Sequence, residues 1–348
     1  MIAVTEMLSV PLVRSGRMQR RRHSTVVTAV LAIITFCLFV LTMMVGSYFV
    51  SPVAVMGSLL GLRDDATADF IVKDLRLPTA TAALAVGVAM GISGIVFQKL
   101  LGNPLASPDF VGVSSGASLF AVSAIVLFNA SSAMISGSAL VGALLTALII
   151  YLLAWRDGIT GYRFILIGIA VSEFMLSIVG YVISRAELYE AREAMTWLTG
   201  SVGQSGSGEL RTLLVALVIL VPVALVLERP LRTLELGDDT AKALGSRVEV
   251  NRVALIALSI VLIGFSVAVA GPIMFVALIA GPIAGRLTGP QGGVLAAGLV
   301  GAIIVLGADL VAAQVLPTSL PTGVVTGIIG APYLIWLLAT VNREGRGG

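Results

Sequence analysis

TVVTAVLAIITFCLFVLTMMVG, residues 25–46, is an unbroken apolar run that follows directly on Arg14, Arg17, Arg20, Arg21 and Arg22. A secretory signal peptide starts in the same way, with a basic region before an apolar one. This run is too long for an ordinary signal core, and no clear small-residue cleavage site follows it. It reads as an uncleaved first membrane helix, long enough at 1.5 Å per residue to cross about 30 Å of hydrocarbon. The basic tail, residues 1–26, is then expected on the cytoplasmic side.

The rest of the chain agrees with that start. Of 348 residues, 57% are hydrophobic and only 12% charged, and mean hydropathy is +1.04. Soluble domains carry about a quarter of their residues as charges. No Gly-x-y period exists despite 38 glycines, and the apolar content is too high for disorder. The net charge of +3 forms no basic face, which argues against nucleic acid as a partner. Cys37 is the single cysteine and His23 the single histidine, so intrachain disulfides and thiolate metal clusters are excluded. The expected fold class is all-α, a polytopic protein embedded in membrane lipid.

Further apolar spans run at about 78–100, 112–129, 136–154, 161–182, 210–228, 253–271, 273–288, 293–315 and 322–341, making about ten transmembrane helices in all. Alternating them from a cytoplasmic N-terminus places most of the 22 basic residues on the cytoplasmic side. The opposite side keeps Arg63, Lys73, Arg76, Arg185, Arg192 and Arg211 among acids. That bias has the sign of the positive-inside rule and puts both termini in the cytoplasm. The division expected is a tail at 1–26, a transmembrane region at 27–341 and a cytoplasmic tail at 342–348. Glu173 and Asp309 fall within spans and are expected to turn into the bundle rather than toward lipid. The stretch GPIMFVALIAGPIAG (271–285) implies broken or kinked helix, which a membrane tolerates only beside protein or an aqueous cavity.

Two segments outside the spans carry more than connection requires. The outward loop 184–210 reads as a short amphipathic helix followed by Gly/Ser turns, with Tyr189 and Trp197 as interfacial anchors. Glu187, Glu190 and Glu193 share one face of it, where ordinary solvation competes with docking to a basic partner. The cytoplasmic loop 229–252 holds LGDDTAKALGSRVEVNR (236–252), a polar island between apolar runs. Asp238 and Asp239 suit a helix N-terminus and Gly245 suits its end. Either a solvated loop or a docking helix for a soluble partner fits those residues. No Gly-x-x-x-x-Gly-Lys-Ser/Thr loop is present, so this chain is not expected to hydrolyse ATP or to act as an enzyme.

The motifs resemble the FecCD-type permeases of type II ABC importers, which take up ferric siderophores, haem or cobalamin. The matching text is DLRLP (74–78), GVAMGISGIVFQ (87–98), NPLASPDFVGVSSGASL (103–119), LGDDTAKALG (236–245), VAVAGPIMFVALIA (267–280), LGADLVAA (306–313) and LPTGVVTGIIGAPYLIWLL (320–338), in family order. The resemblance implies the type II ABC importer permease fold, paired with a second permease subunit as a homodimer or with a related paralogue. It further implies two cytoplasmic ATPase subunits, which use ATP and Mg2+, and an extracytoplasmic substrate-binding protein. No cofactor is expected on this chain. An iron–siderophore complex is the leading substrate, with haem or cobalamin as the alternative and an ion-driven secondary transporter as a more distant one.

By the same resemblance, Leu236, Gly237, Asp238, Asp239, Ala241, Lys242, Leu244 and Gly245 would form the helix that couples to the ATPases. Glu173, Ser114 and Ser115 would be candidates for the translocation path. For the serines, satisfying backbone groups at a helix start is the stronger reading. Arg76, Glu187, Glu190 and Glu193 would be candidates for docking the binding protein. Two departures stand out. The family's eighth-helix pattern Phe-Val-Gly-Leu-Ile-x-Pro-His-x-x-Arg is here FVALIAGPIAGR (275–286), with Ala277, Gly281, Pro282 and Gly285 at four of its positions. Thr79 stands where a second arginine commonly follows the LRLP motif.

Overall fold

The computed structural model describes residues 2–62, 65–155, 161–204, 206–289, 292–315 and 318–344, and every regular element among them is helical. Arg63, placed above on the outward side, lies outside the described residues, as do Arg156 and Arg346 among the basic residues expected inside and the last part of the C-terminal tail. Eight helices are long and apolar enough to cross a bilayer. They are Met18–Met44 within α1 (Ile2–Met44), the stretch Ala66–Leu101, α6 (Ser132–Ala154), α7 (Gly161–Arg185), α9 (Ser207–Leu234), α11 (Val248–Ala270), α13 (Val294–Gln314) and α14 (Thr322–Glu344). Two shorter apolar helices, α5 (Val113–Phe128) and α12 (Val276–Thr288), accompany them. Each span expected from hydropathy coincides with one of these helices.

Three features differ from the linear reading. The basic tail is not separated from the first span, because α1 is continuous from Ile2 to Met44. A helix of that length rises about 65 Å, so a long part of it must project beyond a hydrocarbon core of about 30 Å. On the opposite side, α2 (Pro52–Leu60) occupies a stretch assigned no element. Ser51 accepts a hydrogen bond from the Ala54 N–H at its start, while Val53, Met56 and Leu60 stay exposed. It is far too short to span, so hydropathy over a membrane-length window passes over it.

The second span also begins early. A turn of α-helix, α3 (Ala66–Asp69), runs through a π segment at Phe70–Arg76 into α4 (Leu77–Leu101). Pro78 carries no N–H, and the ladder slips to a wider spacing just before it, where the Leu77 N–H donates to the Val72 carbonyl.

The helix α4 is the axis of the bundle and packs against α13, α11, α12 and α9. Met90, Ile92 and Phe97 on it are fully buried. Burial of apolar surface drives little association in lipid, so close backbone approach must supply the packing. The glycines of GVAMGISG do this. A Cβ on Gly91 would collide with the Ala297 carbonyl, one on Gly94 with the Ala277 carbonyl, and one on Gly301 with the Gly87 carbonyl. The hydroxyl of Ser93 donates to the Ser259 carbonyl on α11 at 2.7 Å.

Gly94→Val should therefore lower the thermal unfolding temperature of the detergent-solubilised protein, at a cost of about 1–3 kcal/mol for overpacking against backbone. Gly307→Ala, on α13 where an added Cβ meets nothing within 4 Å, should leave that temperature unchanged.

Candidate functional site

Between α9 and α11 the polar island folds into α10 (Asp238–Ala243). Its termination follows the sequence closely: Gly245 takes φ +79°, its N–H donates to the Lys242 carbonyl at 2.9 Å, and the Ser246 N–H reaches the Ala241 carbonyl at 2.9 Å. That pair of bonds satisfies carbonyls which a helix end leaves orphaned. Arg252, on the first turns of α11, holds Asp238 at 2.6 Å and Glu249 at 2.9 Å. Lys99, at the end of α4, meets Glu235 at 3.1 Å. The short helix is thus tied to α11, the rod that follows it, and the end of α9 that precedes it is tied to the central helix. Ala241 faces inward and is fully buried, while Asp239, Lys242, Leu236 and Leu244 are exposed. Leu236 and Leu244 are 59% and 65% exposed, large apolar side chains on an otherwise charged surface.

The segment linking α4 and α5 packs a polar cluster against α7 and α11. Asn103 accepts a hydrogen bond from the Leu105 N–H at 2.9 Å, closing a turn. A short 3-10 turn, Pro108–Val111, follows. Ser114 donates to Asp109 at 2.9 Å, and Ser115 lies within hydrogen-bonding distance of both the Gly112 carbonyl, at 2.9 Å, and the Ser172 hydroxyl of α7, at 3.2 Å. Ser115 is buried and Ser114 half-buried, so both serve the start of α5 within one protomer. Burial pushes the Asp109 carboxyl up to about 6, against the downward pull of hydrogen bonds from Ser114 and Ser107. No residue pattern singles out Asp109. Its only signal in the sequence is an acid flanked by apolar and small residues.

Gln98 was quoted only as the end of a motif, and the structure gives it a definite task. Its Nε2 donates to the Pro104 carbonyl at 3.0 Å and to the Leu278 carbonyl at 2.8 Å. Leu278 lies four residues before Pro282, which has no N–H to return to it. The side-chain amide of α4 therefore satisfies the carbonyl that Pro282 leaves open inside α12. Gly281 makes room for this, since a Cβ there would collide with Gln98 Oε1. The departures at 281 and 282 from the family pattern are coupled to each other through Gln98. Arg286 lies 4.2 Å from the ring centroid of Trp336, joining α12 to α14.

At the other end of the molecule, α8 (Leu188–Thr199) is the short helix expected in the 184–210 loop. Glu187 is its N-cap and Glu190 its N3 residue in a reciprocal capping box, so Glu190 is engaged with the Glu187 N–H. Glu187 and Glu193 remain exposed. After α8 the chain is stitched to two distant segments: the Ser201 N–H donates to the Ala270 carbonyl at 2.7 Å, and the Gly323 N–H to the Gly200 carbonyl at 2.9 Å. Gly271 at φ +69° allows this contact, as a Cβ there would lie 2.6 Å from the Trp197 carbonyl.

Arg76 is half-buried where the π segment meets α4. Its guanidinium donates to the carbonyls of Met43, Met44 and Tyr48, closing the C-terminal end of α1. Asp309 accepts a hydrogen bond from Thr322 at 3.0 Å and so joins α13 to α14. Glu173 does not turn into the bundle of its own chain. It is exposed on α7, the least covered of the eight long spans, beside exposed Phe174 and Ile169.

The described residues thus form a bundle of apolar helices with a short helix, α10, at one end and another, α8, at the other. The chain belongs to the FecCD transport family, whose model matches residues 31–340. It is 38% identical over 276 residues to the ferric enterobactin transport system permease protein FepG of Escherichia coli, covering 79% of this chain and 84% of that one. It is 36% identical over 332 residues to the achromobactin transport system permease protein CbrC of Dickeya dadantii, covering 93% and 95%. Against the Fe(3+)-citrate import system permease protein YfmE of Bacillus subtilis the identity is 35% over 330 residues, covering 94% and 98%. A solved structure of a metal-chelate type ABC transporter in an inward-facing conformation superposes with a TM-score of 0.79 at 26% identity, covering 91% of this chain and 99% of that one. The protein is thus a polytopic component of the cytoplasmic membrane.

Two outcomes test this geometry. Gln98→Leu should cost about 1–3 kcal/mol by stranding buried carbonyls, and part of that loss should vanish in the Pro282→Ala background, where the α12 ladder can close by itself. A double-mutant cycle of thermal unfolding measures it. A carboxyl whose folded pKa is raised adds stability below its unfolded value, near 3.8, and loses it as pH rises through about 6. Asp109→Asn should therefore unfold at a higher temperature than wild type above pH 6, with the two converging as the pH falls toward 4.

Proposed function

We propose that this chain is the permease subunit through which an ATP-driven importer moves an iron–siderophore complex into the cytoplasm. The observation that carries the coupling half of this reading is α10. Its buried Ala241 and its ties to Arg252 fix the helix to the bundle, while Leu236, Leu244, Asp239 and Lys242 face outward as a docking knob for a soluble ATPase. The exposed leucines supply the desolvated anchor that a stable contact needs, and the charges around them form its polar rim. The substrate half is supported by the relatives, which are named for ferric enterobactin, achromobactin and Fe(3+)-citrate.

In this reading a second permease, identical or paralogous, covers the exposed face of α7, and Glu173 lies at or near the path between the two subunits. Ser114 and Ser115 support that path from behind, by fixing the start of α5 against Ser172. An extracytoplasmic binding protein delivers substrate to the opposite end, where Glu187 and Glu193 offer accessible acids; Arg76 contributes there through the fold of α1. ATP binding by the partner subunits shifts α10 with its neighbours, and the path alternates between two access states.

The test is uptake into proteoliposomes holding the permease pair, the ATPases and the binding protein. ATP-dependent accumulation of a ferric siderophore is expected, with haem and cobalamin as competing substrates. Absence of ATP-dependent uptake would overturn the assignment. Leu244→Asp should lower ATP-driven uptake at least about tenfold while leaving the protein inserted and folded, because it places a charge in the anchor of the contact. Wild-type uptake and ATPase stimulation in that variant would remove α10 from the docking surface.

A further inference from the structure

Three hollows on the outer half of the bundle adjoin one another. The first, about 490 Å³, is lined by Tyr189, Arg192, Glu193, Trp197 and Gln204. The second, about 330 Å³, is bordered by Gly137, Leu140, Gly208, Glu209 and Thr212. The third, about 420 Å³, runs along Arg211, Val215, Ile219, Leu220, Val261 and Phe265. The first two share Ser136 and Val269 as wall, and the last two share Thr212 and Phe265. Together they make one groove that starts between α6 and α8, passes between α6 and α9 and ends along α9, with α11 as its floor, running from polar to apolar.

Its dimensions and charges match one kind of molecule. From Glu209 to Leu220 α9 rises about 16 Å, close to the ~15 Å half-thickness of a hydrocarbon core. The polar upper part carries two cations, Arg192 and Arg211, and two anions, Glu193 and Glu209, at the level where a headgroup lies. The groove is also open in a way the packed interfaces are not. A Cβ added at Gly137 or Gly208 would meet nothing within 4 Å, whereas one on Gly87, Gly91 or Gly94 would strike backbone. At this level the Ser132 hydroxyl of α6 donates to Glu209 of α9 at 3.2 Å, and the glycines beside that bond leave space around it.

We infer that this groove binds a zwitterionic phospholipid of the outer leaflet, of the phosphatidylethanolamine type. The arginines receive the phosphate, Glu209 receives the ammonium beside its bond from Ser132, and an acyl chain lies along Val215, Ile219 and Leu220 against Phe265. A lipid so placed lies against α6 and α9 and borders α8 through Tyr189 and Trp197. It contacts none of the residues assigned to the ATPase surface.

Reconstitution of the intact importer into vesicles of equal parts phosphatidylethanolamine and phosphatidylglycerol, followed by mild detergent extraction and native mass spectrometry, tests the site. Retained phosphatidylethanolamine should exceed phosphatidylglycerol. Thr212→Trp, which fills the waist of the groove, should lower that retention about tenfold. Arg211→Glu leaves the trough intact and should lower it in the same direction. Equal retention of the two lipids, equal retention in wild type and Thr212→Trp, or no retained lipid would overturn the inference. So would a disulfide between permease chains in the Cys37→Ser, Thr212→Cys protein, because the groove would then face the second subunit.

Discussion

The contact on which the bundle rests is the backbone-to-backbone approach of α4 to its neighbours. In water, the burial of valines and leucines would hold such a helix, but lipid tails solvate those side chains as well as protein does. What remains is dispersion at short range and the hydrogen bonds that short range permits. Gly91 and Gly94 bring α4 close enough to touch the carbonyls of Ala297 and Ala277, and this closeness has consequences further along. It sets the depth at which Gln98 meets α12 and the height at which Ser93 meets α11. Four helices take their position from one face-by-face fit, and the peripheral helices pack on those four.

The polar groups inside follow a single economy, since a backbone carbonyl in lipid has no water to fall back on. Pro282 opens a carbonyl in α12, and Gln98 closes it from the neighbouring helix. The end of α1 exposes several carbonyls at once, and Arg76 gathers two of them together with the Tyr48 carbonyl just beyond. Asp309 finds a hydroxyl at the start of α14. Each of these side chains has the look of a functional residue when read in isolation. Their partners join helix ends and neighbouring helices to one another.

Local signals carried far in the sequence. Hydropathy placed the spans because length and apolar content are properties of a contiguous segment, and the short helix after α9 was legible because Gly245 and the paired aspartates act on the same turn. What escaped was nonlocal or short. The partner of Arg76 lies more than thirty residues upstream, on a different helix end. The link between Gln98 and Pro282 joins segments about 180 residues apart, so neither residue advertises the other. The nine-residue α2 is below the length at which membrane hydropathy speaks. Glu173 was expected inside the bundle on the cost of a charge in lipid, an argument that holds for an assembly and says nothing of a single protomer.

One feature of α11 bears on how far a small movement could reach. The helix is straight in sequence terms, with no proline between Val248 and Ala270, and each end is fastened to a different short helix. Arg252 clasps α10 at one end, and the Ala270 carbonyl receives the Ser201 N–H just past α8 at the other. Those 23 residues make a strut of about 34 Å. A tilt of about 5° about one end carries the opposite end through about 3 Å, which is comparable to the length of a hydrogen bond. With Gly271 lying against the Trp197 carbonyl, a displacement of that size cannot be absorbed by slack at the junction. Either α8 travels with the strut, or the bond to Ser201 breaks.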